Sequence, residues 1–180
     1  MMTFEQFDRD FPSDDACKEY IVAKRWPDGV RCPRCNRQEK VYALKASFRW
    51  TCCNADCGGR KGYRFSVTTG TIFQDTKVSL RLWFKIGYLM LTAKKGMSSL
   101  QIRRVIFGEN SGTDWRTAWY ICHRWRAAMR GDAFPLRGIV GTYHNVSADY
   151  LPLYLNEFSF RHNNRKNPDA FGAMITTCRK

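Results

Sequence analysis

Apolar residues at the start of the chain recur at helical spacing. Three of them share one face of the predicted helix: Phe4, Phe7 and Phe11. Residues 12–15 then break the chain and supply a cap for a second helix, which we expect to end near Arg25. Residues 26–29 have the sequence Trp-Pro-Asp-Gly, which is typical of a turn. The pattern predicts a helical segment over residues 1–29.

Between residues 30 and 77 the periodicity changes. Short runs of β-branched and aromatic residues are separated by Cys, Gly and Asn, as is typical of short strands joined by turns. The predicted strands are residues 41–44, 48–51 and 63–67. We therefore expect a small β unit over residues 30–77.

Helical periodicity returns at residue 79. Apolar residues recur every three or four positions as far as Leu91, and the sequence Lys-Lys-Gly at 94–96 ends this helix. Two further helices are predicted from their caps, which are Ser98 or Ser99 for a short helix and Thr113 or Asp114 for a longer one reaching Met129 or Arg130. This pattern predicts a helix-turn-helix-like region over residues 78–132.

The last segment, residues 133–180, contains one more amphipathic pattern. Turn-forming residues occupy positions 138–145, and Ser147 can cap a helix. Apolar residues then align on one side of that helix: Tyr150, Leu151, Tyr154, Leu155 and Phe158. A single C-terminal helix is predicted here.

Charge divides the chain into an acidic start and a basic centre. The formal net charge is +14. Residues 1–30 carry four basic and seven acidic residues, residues 31–77 carry ten and three, and residues 81–130 carry ten and two. Clustered Lys and Arg attract phosphate backbones. The charge therefore predicts a nucleic-acid partner. Of the 180 residues, 44% are hydrophobic, which is enough to form a core, so we expect a folded protein.

No membrane association or export is expected. The N-terminus is acidic and amphipathic, unlike the basic-then-apolar pattern of a secretory signal. No apolar run approaches the roughly 20 residues that are needed to cross a bilayer. We expect a cytoplasmic protein whose eight cysteines are reduced.

Four cysteines form two pairs with the spacing of metal ligands. Cys32 and Cys35 make the first pair, and Cys52 and Cys57 make the second after a strand-sized interval. Cys53 is an alternative partner for Cys57, but we prefer Cys52 because Cys53 would leave a more cramped loop. Four thiolates close a tetrahedral site for one structural Zn²⁺ with no open catalytic position.

The predicted fold class is therefore α+β. It comprises a small β zinc ribbon flanked by helices, then a helical, helix-turn-helix-like region and a C-terminal helix. In this arrangement the second helix of the helix-turn-helix could reach phosphates and guanine edges in a major groove, although a solvated helix face is the alternative. Its tryptophans, Trp115, Trp119 and Trp125, are assigned to packing.

Basic residues beside the ribbon and on the helices are the candidate nucleic-acid contacts. They are Arg60, Lys61, Arg64, Lys94, Lys95, Arg103, Arg104, Arg116, Arg124, Arg126 and Arg130. Each combines a positive charge with a position inside the basic centre of the chain.

Short sequence segments along nearly the whole chain resemble those of a known protein family. They are Arg-Trp-Pro-Asp-Gly at 25–29, the Cys32/Cys35 pair, residues 65–73, 80–84, 94–98 and 117–126, and then residues 141–147, 150–151 and 157–165. Together these runs resemble the ISXO-two-like insertion-sequence transposases. The resemblance implies a zinc ribbon at the front, a helical DNA-binding part, and the C-terminal end of the transposase core.

The catalytic core of that family has no counterpart here. In the family, an RNase H-like fold supplies two aspartates and a glutamate for divalent metal, after a run resembling residues 136–138. In this chain Gly138 reaches the closing motif within three residues, so the resemblance implies an internal deletion. The nearby carboxylates do not match the family's catalytic motifs: Asp132, Asp149, Glu157 and Asp169. The resemblance therefore implies a protein that is not an enzyme.

We expect a structural-zinc, nucleic-acid-binding protein that is derived from a transposase and has double-stranded DNA as its partner. The resemblance also implies a prokaryotic, nucleoid-associated protein. The alternative is an accessory or bridging subunit of another nucleic-acid machine, such as a CRISPR-type nuclease, acting as a homodimer. Apolar patches left by the missing core would favour self-association. The candidate docking surfaces are the phenylalanine face of the first helix and the last helix.

Overall fold

The α+β class is confirmed. The computed structural model describes residues 3–45, 48–58, 62–93, 96–108, 114–129 and 147–178. Across these ranges the elements are α1 (Phe4–Asp10), α2 (Asp14–Arg25), β1 (Val41–Ala43), β2 (Arg49–Cys52), α3 (Ala55–Gly58), β3 (Tyr63–Ser66), α4 (Leu80–Thr92), α5 (Ser99–Phe107), α6 (Trp115–Ala128), α7 (Leu151–Asn163) and α8 (Ala170–Thr176). None of the described helices has the length and apolarity needed to cross a membrane.

Local caps explain where the first helices begin. Thr3 accepts a hydrogen bond from the Gln6 amide at 3.2 Å, and the Gln6 side chain accepts one from the Thr3 amide at 2.7 Å. This reciprocal pair satisfies two amides that have no partner within the helix. Ser13 caps α2 in a similar way by accepting from the Ala16 amide at 3.2 Å.

The phenylalanine face of α1 forms part of the hydrophobic core. Phe7 and Phe11 are buried, and both rings lie against Phe171 of α8 at 6.4 and 5.7 Å. Phe4 remains 46% exposed and meets Tyr88 edge-on. The prediction of a helical face was correct, but its assignment as a docking surface was wrong for the two buried rings.

The three strands form one antiparallel sheet in the order β1-β2-β3. On its inner face Trp50 and Phe65 stack at 5.9 Å, and Trp26 meets Trp50 edge-on at 5.4 Å. Side chains alternate between the faces of a sheet, so the opposite face carries a different set. Tyr42, Thr51 and Arg64 lie there in cross-strand register.

Two tryptophans join the central helices. The rings of Trp83 in α4 and Trp125 in α6 lie 6.3 Å apart, and the indole N–H of Trp125 donates to the Trp83 carbonyl at 3.0 Å. Gly87 permits this approach because a Cβ there would lie 2.8 Å from the Trp125 ring. The assignment of Trp125 to packing is confirmed.

The C-terminal segment contains two helices where one was predicted. The residue before α7 is Tyr150, which makes no side-chain cap, so Ser147 is not the cap that was expected. Asp169 starts α8 by accepting from the Gly172 amide, and it also pairs with Lys24 of α2 at 2.5 Å. Residues from all four segments share one hydrophobic cluster, and the predicted segment boundaries stay predictions.

A buried ion pair connects α6 to α7. Arg126 Nε lies 2.7 Å from Glu157 Oε2, and neither side chain has any exposed surface. Arg161 Nη1 lies 3.6 Å from the other carboxylate oxygen, and the Arg126 guanidinium lies 4.1 Å from the Tyr154 ring. The prediction that Arg126 contacts nucleic acid was wrong, because its charge is enclosed by protein.

Replacing the buried carboxylate should destabilise the fold strongly. Glu157→Gln keeps the shape of the side chain but leaves the buried charge of Arg126 without its carboxylate, at a cost of about 3–5 kcal/mol. Asp15→Asn is a matched control because Asp15 pairs with Lys18 at the same 2.7 Å, but in solvent. We expect it to change the free energy of unfolding by about 0–1 kcal/mol in denaturant titrations. Equal effects of the two changes would contradict this assignment.

His123 lies in an aromatic enclosure between α6 and α7. It is 8% exposed, and its ring centre lies 4.1 Å from that of Trp119, 4.9 Å from Tyr150 and 5.8 Å from Tyr154. Burial lowers the pKa of His123 to about 4, and the positive charge of Arg126 acts in the same direction. Neutral imidazole is therefore the form that the fold accommodates.

Acid should destabilise the protein through His123. Its pKa of about 4 in the folded state is below the ordinary value of 6.5, so on acidification the unfolded chain binds the proton first. The free energy of unfolding should therefore fall as pH drops from about 6.5 to about 4. His123→Leu should decline less over this range, with His162→Leu, at an exposed position, as the control. Parallel wild-type and His123→Leu profiles in denaturant titrations would contradict this account.

Candidate metal centre and nucleic-acid surface

The first cysteine pair lies on a tight turn. The Asn36 amide donates to the Cys32 carbonyl at 2.8 Å, and the Cys32 amide donates to the Arg37 carbonyl at 3.0 Å. Asn36 takes a left-handed conformation with φ of 57°, which asparagine tolerates better than most residues. These bonds curl the backbone so that Cys32 and Cys35 point toward the same space.

The second pair lies where the sheet leads into a helical turn. Cys52 is the last residue of β2, and Cys57 lies in α3. The Cys57 amide donates to the Asn54 carbonyl at 3.0 Å, which closes the turn between them. The guanidinium of Arg34, from the first turn, donates to the Cys57 carbonyl at 2.7 Å, so a side-chain hydrogen bond also joins the two turns.

The four sulfurs have the geometry of a tetrahedral zinc site. Cys32 Sγ lies 3.6 Å from Cys57 Sγ, Cys35 Sγ lies 3.8 Å from Cys52 Sγ, and all four lie within 4.8 Å of one another. Ligands about 2.3 Å from a central ion in a tetrahedron are separated by about 3.8 Å. The residues therefore form a zinc-ribbon site for one structural Zn²⁺. Within the described ranges they are the one group of His, Cys, Asp or Glu side chains close enough to hold an ion.

The structure distinguishes between the two adjacent cysteines. Cys52 is buried and belongs to the sulfur group, whereas Cys53 is exposed. Neighbouring residues of a strand point to opposite faces, so only one of them can reach the ion. The preference for Cys52 is confirmed.

Asn54 is a contact of the site that the sequence analysis missed. Its buried side-chain amide donates to Cys52 Sγ at 3.2 Å and to the Glu39 carbonyl at 2.9 Å. Burial acts to raise the pKa of Cys52, but hydrogen bonds from the backbone and side chain of Asn54 outweigh it and lower that pKa to about 7. Burial raises the pKa of Cys32 and of Cys57. The positive charge of a metal ion is therefore needed to keep all four cysteines deprotonated. Asn54 favours the thiolate form of Cys52.

The predicted nucleic-acid contacts divide into three groups. Arg60, Lys61, Lys94, Lys95 and Arg130 lie outside the described residues. Arg64, Arg104 and Arg116 are exposed, whereas Arg103 and Arg124 are half-buried. Arg126 is fully buried, as described above.

The outer face of the sheet carries a second arginine, which the sequence analysis did not select. Arg49 at the start of β2 is exposed and lies on the same face as Arg64 of β3. The alternation Arg49, Trp50, Thr51, Cys52 could have revealed it, because the ligand Cys52 fixes which positions face inward.

The segment that contains the four cysteines matches a known protein family. Residues 12–60, which include all four ligand cysteines, match the family described as the transposase zinc-ribbon domain. Over 91 residues, half of this chain, the sequence is 29% identical to an uncharacterized protein in transposable element ISH50 of Halobacterium salinarum. The chain spans only 29% of the length of that relative. No solved structure matches the chain.

Substitution of the two adjacent cysteines one at a time should show which of them binds zinc. Cys52→Ser removes a thiolate from the ion, so we expect loss of stoichiometric zinc and of the ordered ribbon. Cys53→Ser changes an exposed thiol next to it and should retain one zinc per chain. Metal analysis of the purified variants, with thermal melting, measures both effects. Equal zinc content in the two variants would show that the ligand has been misassigned.

Proposed function

We propose that this protein binds double-stranded DNA through its zinc-stabilised ribbon and the adjacent basic helices, as a transposase-type protein without a strand-transfer centre of its own. The observation that carries the proposal is the four-sulfur site, which lies inside the transposase zinc-ribbon match and organises a sheet with a basic outer face. The net charge of +14 supplies the attraction for a polyanion.

The outer face of the ribbon has the chemistry of a backbone contact. Arg49 pairs with Ser66 and Thr51 pairs with Arg64, so the two arginines lie diagonally across adjacent strands. Diagonal neighbours are separated by about 7–8 Å, which places two positive charges on one small surface. Tyr42, 56% exposed, lies beside Thr51 on the same face. Arginine and hydroxyl groups of this kind hold phosphate oxygens.

Two of the described carboxylates, Glu157 and Asp169, are engaged in contacts that do not suit metal-ion catalysis. Two-metal chemistry needs carboxylates that hold ions about 4 Å apart. Glu157 is instead buried between Arg126 and Arg161, and Asp169 caps α8 and pairs with Lys24. The deletion implied by the ISXO-two-like resemblance falls within residues 130–146, outside the described residues. The predicted protein partner and homodimer stay predictions.

DNA affinity should fall steeply as the salt concentration rises, and contacts made by the two ribbon arginines should account for part of this fall. Fluorescence anisotropy with a labelled blunt duplex at several salt concentrations gives the slope of log affinity against log salt. Each phosphate contact adds about −0.9, so the pair of changes Arg49→Gln and Arg64→Gln should reduce the slope by nearly two. Arg9→Gln is the control, because Arg9 is exposed on the acidic α1.

Two results would overturn this proposal. One is an affinity that does not change with salt, which would exclude phosphate contacts. The other is an equal loss of slope in the Arg9 control and in the ribbon variant, which would show that only total charge matters. The zinc content of each variant must remain at one per chain, so that a lost ribbon is not mistaken for a lost contact.

A further inference from the structure

The surface of α6 changes character along its length. Its C-terminal half is enclosed by other helices, with Trp125 and Arg126 fully buried. Its N-terminal half is buried at Ala118 and Ile121 but has exposed side chains beside them: Trp115 is 51% exposed, Tyr120 is 48% exposed, and the Arg116 side chain is 77% exposed. The assignment of Trp115 to packing was therefore wrong. The exposed half of α6 combines two aromatic rings with arginine.

Tyr120 is held in place although half of its surface is exposed. The Trp83 ring meets it edge-on at 6.5 Å, and the Arg124 guanidinium lies 4.9 Å from its centre. Arg124 is itself fixed, because it donates to the Ile72 carbonyl at 2.6 Å. A ring supported in this way loses little side-chain freedom when a ligand binds.

Arg116 lies next to both exposed rings. It precedes Tyr120 by one helical turn, a spacing at which side chains are neighbours, and its guanidinium lies 5.9 Å from the Trp115 ring. Asp114, at the helix cap, lies 3.4 Å from the Arg116 guanidinium and is the nearest acidic partner in the described residues. This surface thus combines two exposed rings with the exposed Arg116 and the half-buried Arg124, and its described carboxylate, Asp114, pairs with Arg116.

Aromatic rings beside arginines fit a nucleic acid in which the flat faces of the bases are accessible. In a duplex the base faces are covered by their neighbours, so a protein ring can stack only on an unpaired base or at a duplex end. Tyrosine and tryptophan provide such stacking partners, and arginine adds charge for the phosphates and a plane that also stacks. A neutral or acidic peptide would use the rings but would not need both arginines.

We propose that Trp115, Arg116, Tyr120 and Arg124 form a stacking surface for unpaired bases of a DNA strand that continues from a bound duplex. This inference rests on the DNA binding proposed above and specifies which part of the DNA this surface takes. The ribbon face contacts the duplex backbone, and the α6 surface takes the bases that have left the duplex.

The test compares two DNA ligands that differ only in a single-stranded tail. One is a labelled blunt duplex, and the other is the same duplex with a 3′ tail of thymidines. Stacking of one or two bases predicts that the tailed DNA binds about tenfold more tightly at the same salt. Tyr120→Leu and Trp115→Leu should each remove most of this gain and leave blunt-duplex affinity within about twofold, while Tyr120→Phe should retain it. Phe4→Leu is the control, because it removes a similarly exposed ring from the acidic α1.

Each outcome decides between the two proposals. A blunt duplex bound in a salt-dependent way, with no gain from the tail, overturns the stacking surface and leaves the duplex proposal intact. No binding to either DNA overturns both. If Tyr120→Leu loosens the Trp83 contact and unfolds the protein, as thermal melting would show, Trp115→Leu still decides, because the Trp115 ring lies largely outside the core. Quenching of tryptophan emission by the tail, absent in Trp115→Phe, provides an independent readout.

Discussion

One cation held by four thiolates is the constraint on which the ribbon depends. Its strands have only three or four residues each, and small metal-binding units of this kind commonly depend on the bound ion for their folding free energy. The metal joins the turn after Cys32 to the turn after Cys52, and β2 is thereby fixed with Trp50 on the inside. Arg49 and Arg64 then have to face outward. The position of the basic face is thus a consequence of the metal site.

The second constraint acts on α6 through its neighbours. Arg126 is bound to Glu157 of α7, and Trp125 lies against Trp83 and the space left by Gly87 in α4. These contacts fix the C-terminal half of α6 inside the protein. The exposed large side chains of this helix therefore lie toward its N-terminal end, at Trp115, Arg116 and Tyr120. Burial therefore decides which of the basic residues on this helix can meet a ligand.

Much of the fold could be predicted because its signals are local. Each expected cap at Ser13, Ser98 and Asp114 is a hydrogen bond to an amide two or three residues away, and the strands alternate over a few residues. Arg126 was misplaced although a signal existed: it follows the buried Cys122 by four residues, so the helical period already places it on the apolar side. Its partner Glu157 is 31 residues away, a distance over which one sequence contains no pairing signal. The seven-residue α8 was missed for a similar reason, because it is stabilised by packing on α2 and α4.

The two proposed surfaces imply recognition of DNA by shape. Backbone contacts by arginines on the ribbon are insensitive to sequence, and ring stacking accepts every base. Neither surface reads base edges, so selectivity would come from the distance between them. That distance is fixed because the ribbon and α6 share one core: Phe73, at the exit of the ribbon, packs against both Trp83 and Trp125. A DNA with a duplex at the ribbon and unpaired bases at α6 satisfies both surfaces at once, whereas a continuous duplex or a free strand satisfies one. If both proposals hold, the junction between paired and unpaired DNA is the feature that this arrangement would select.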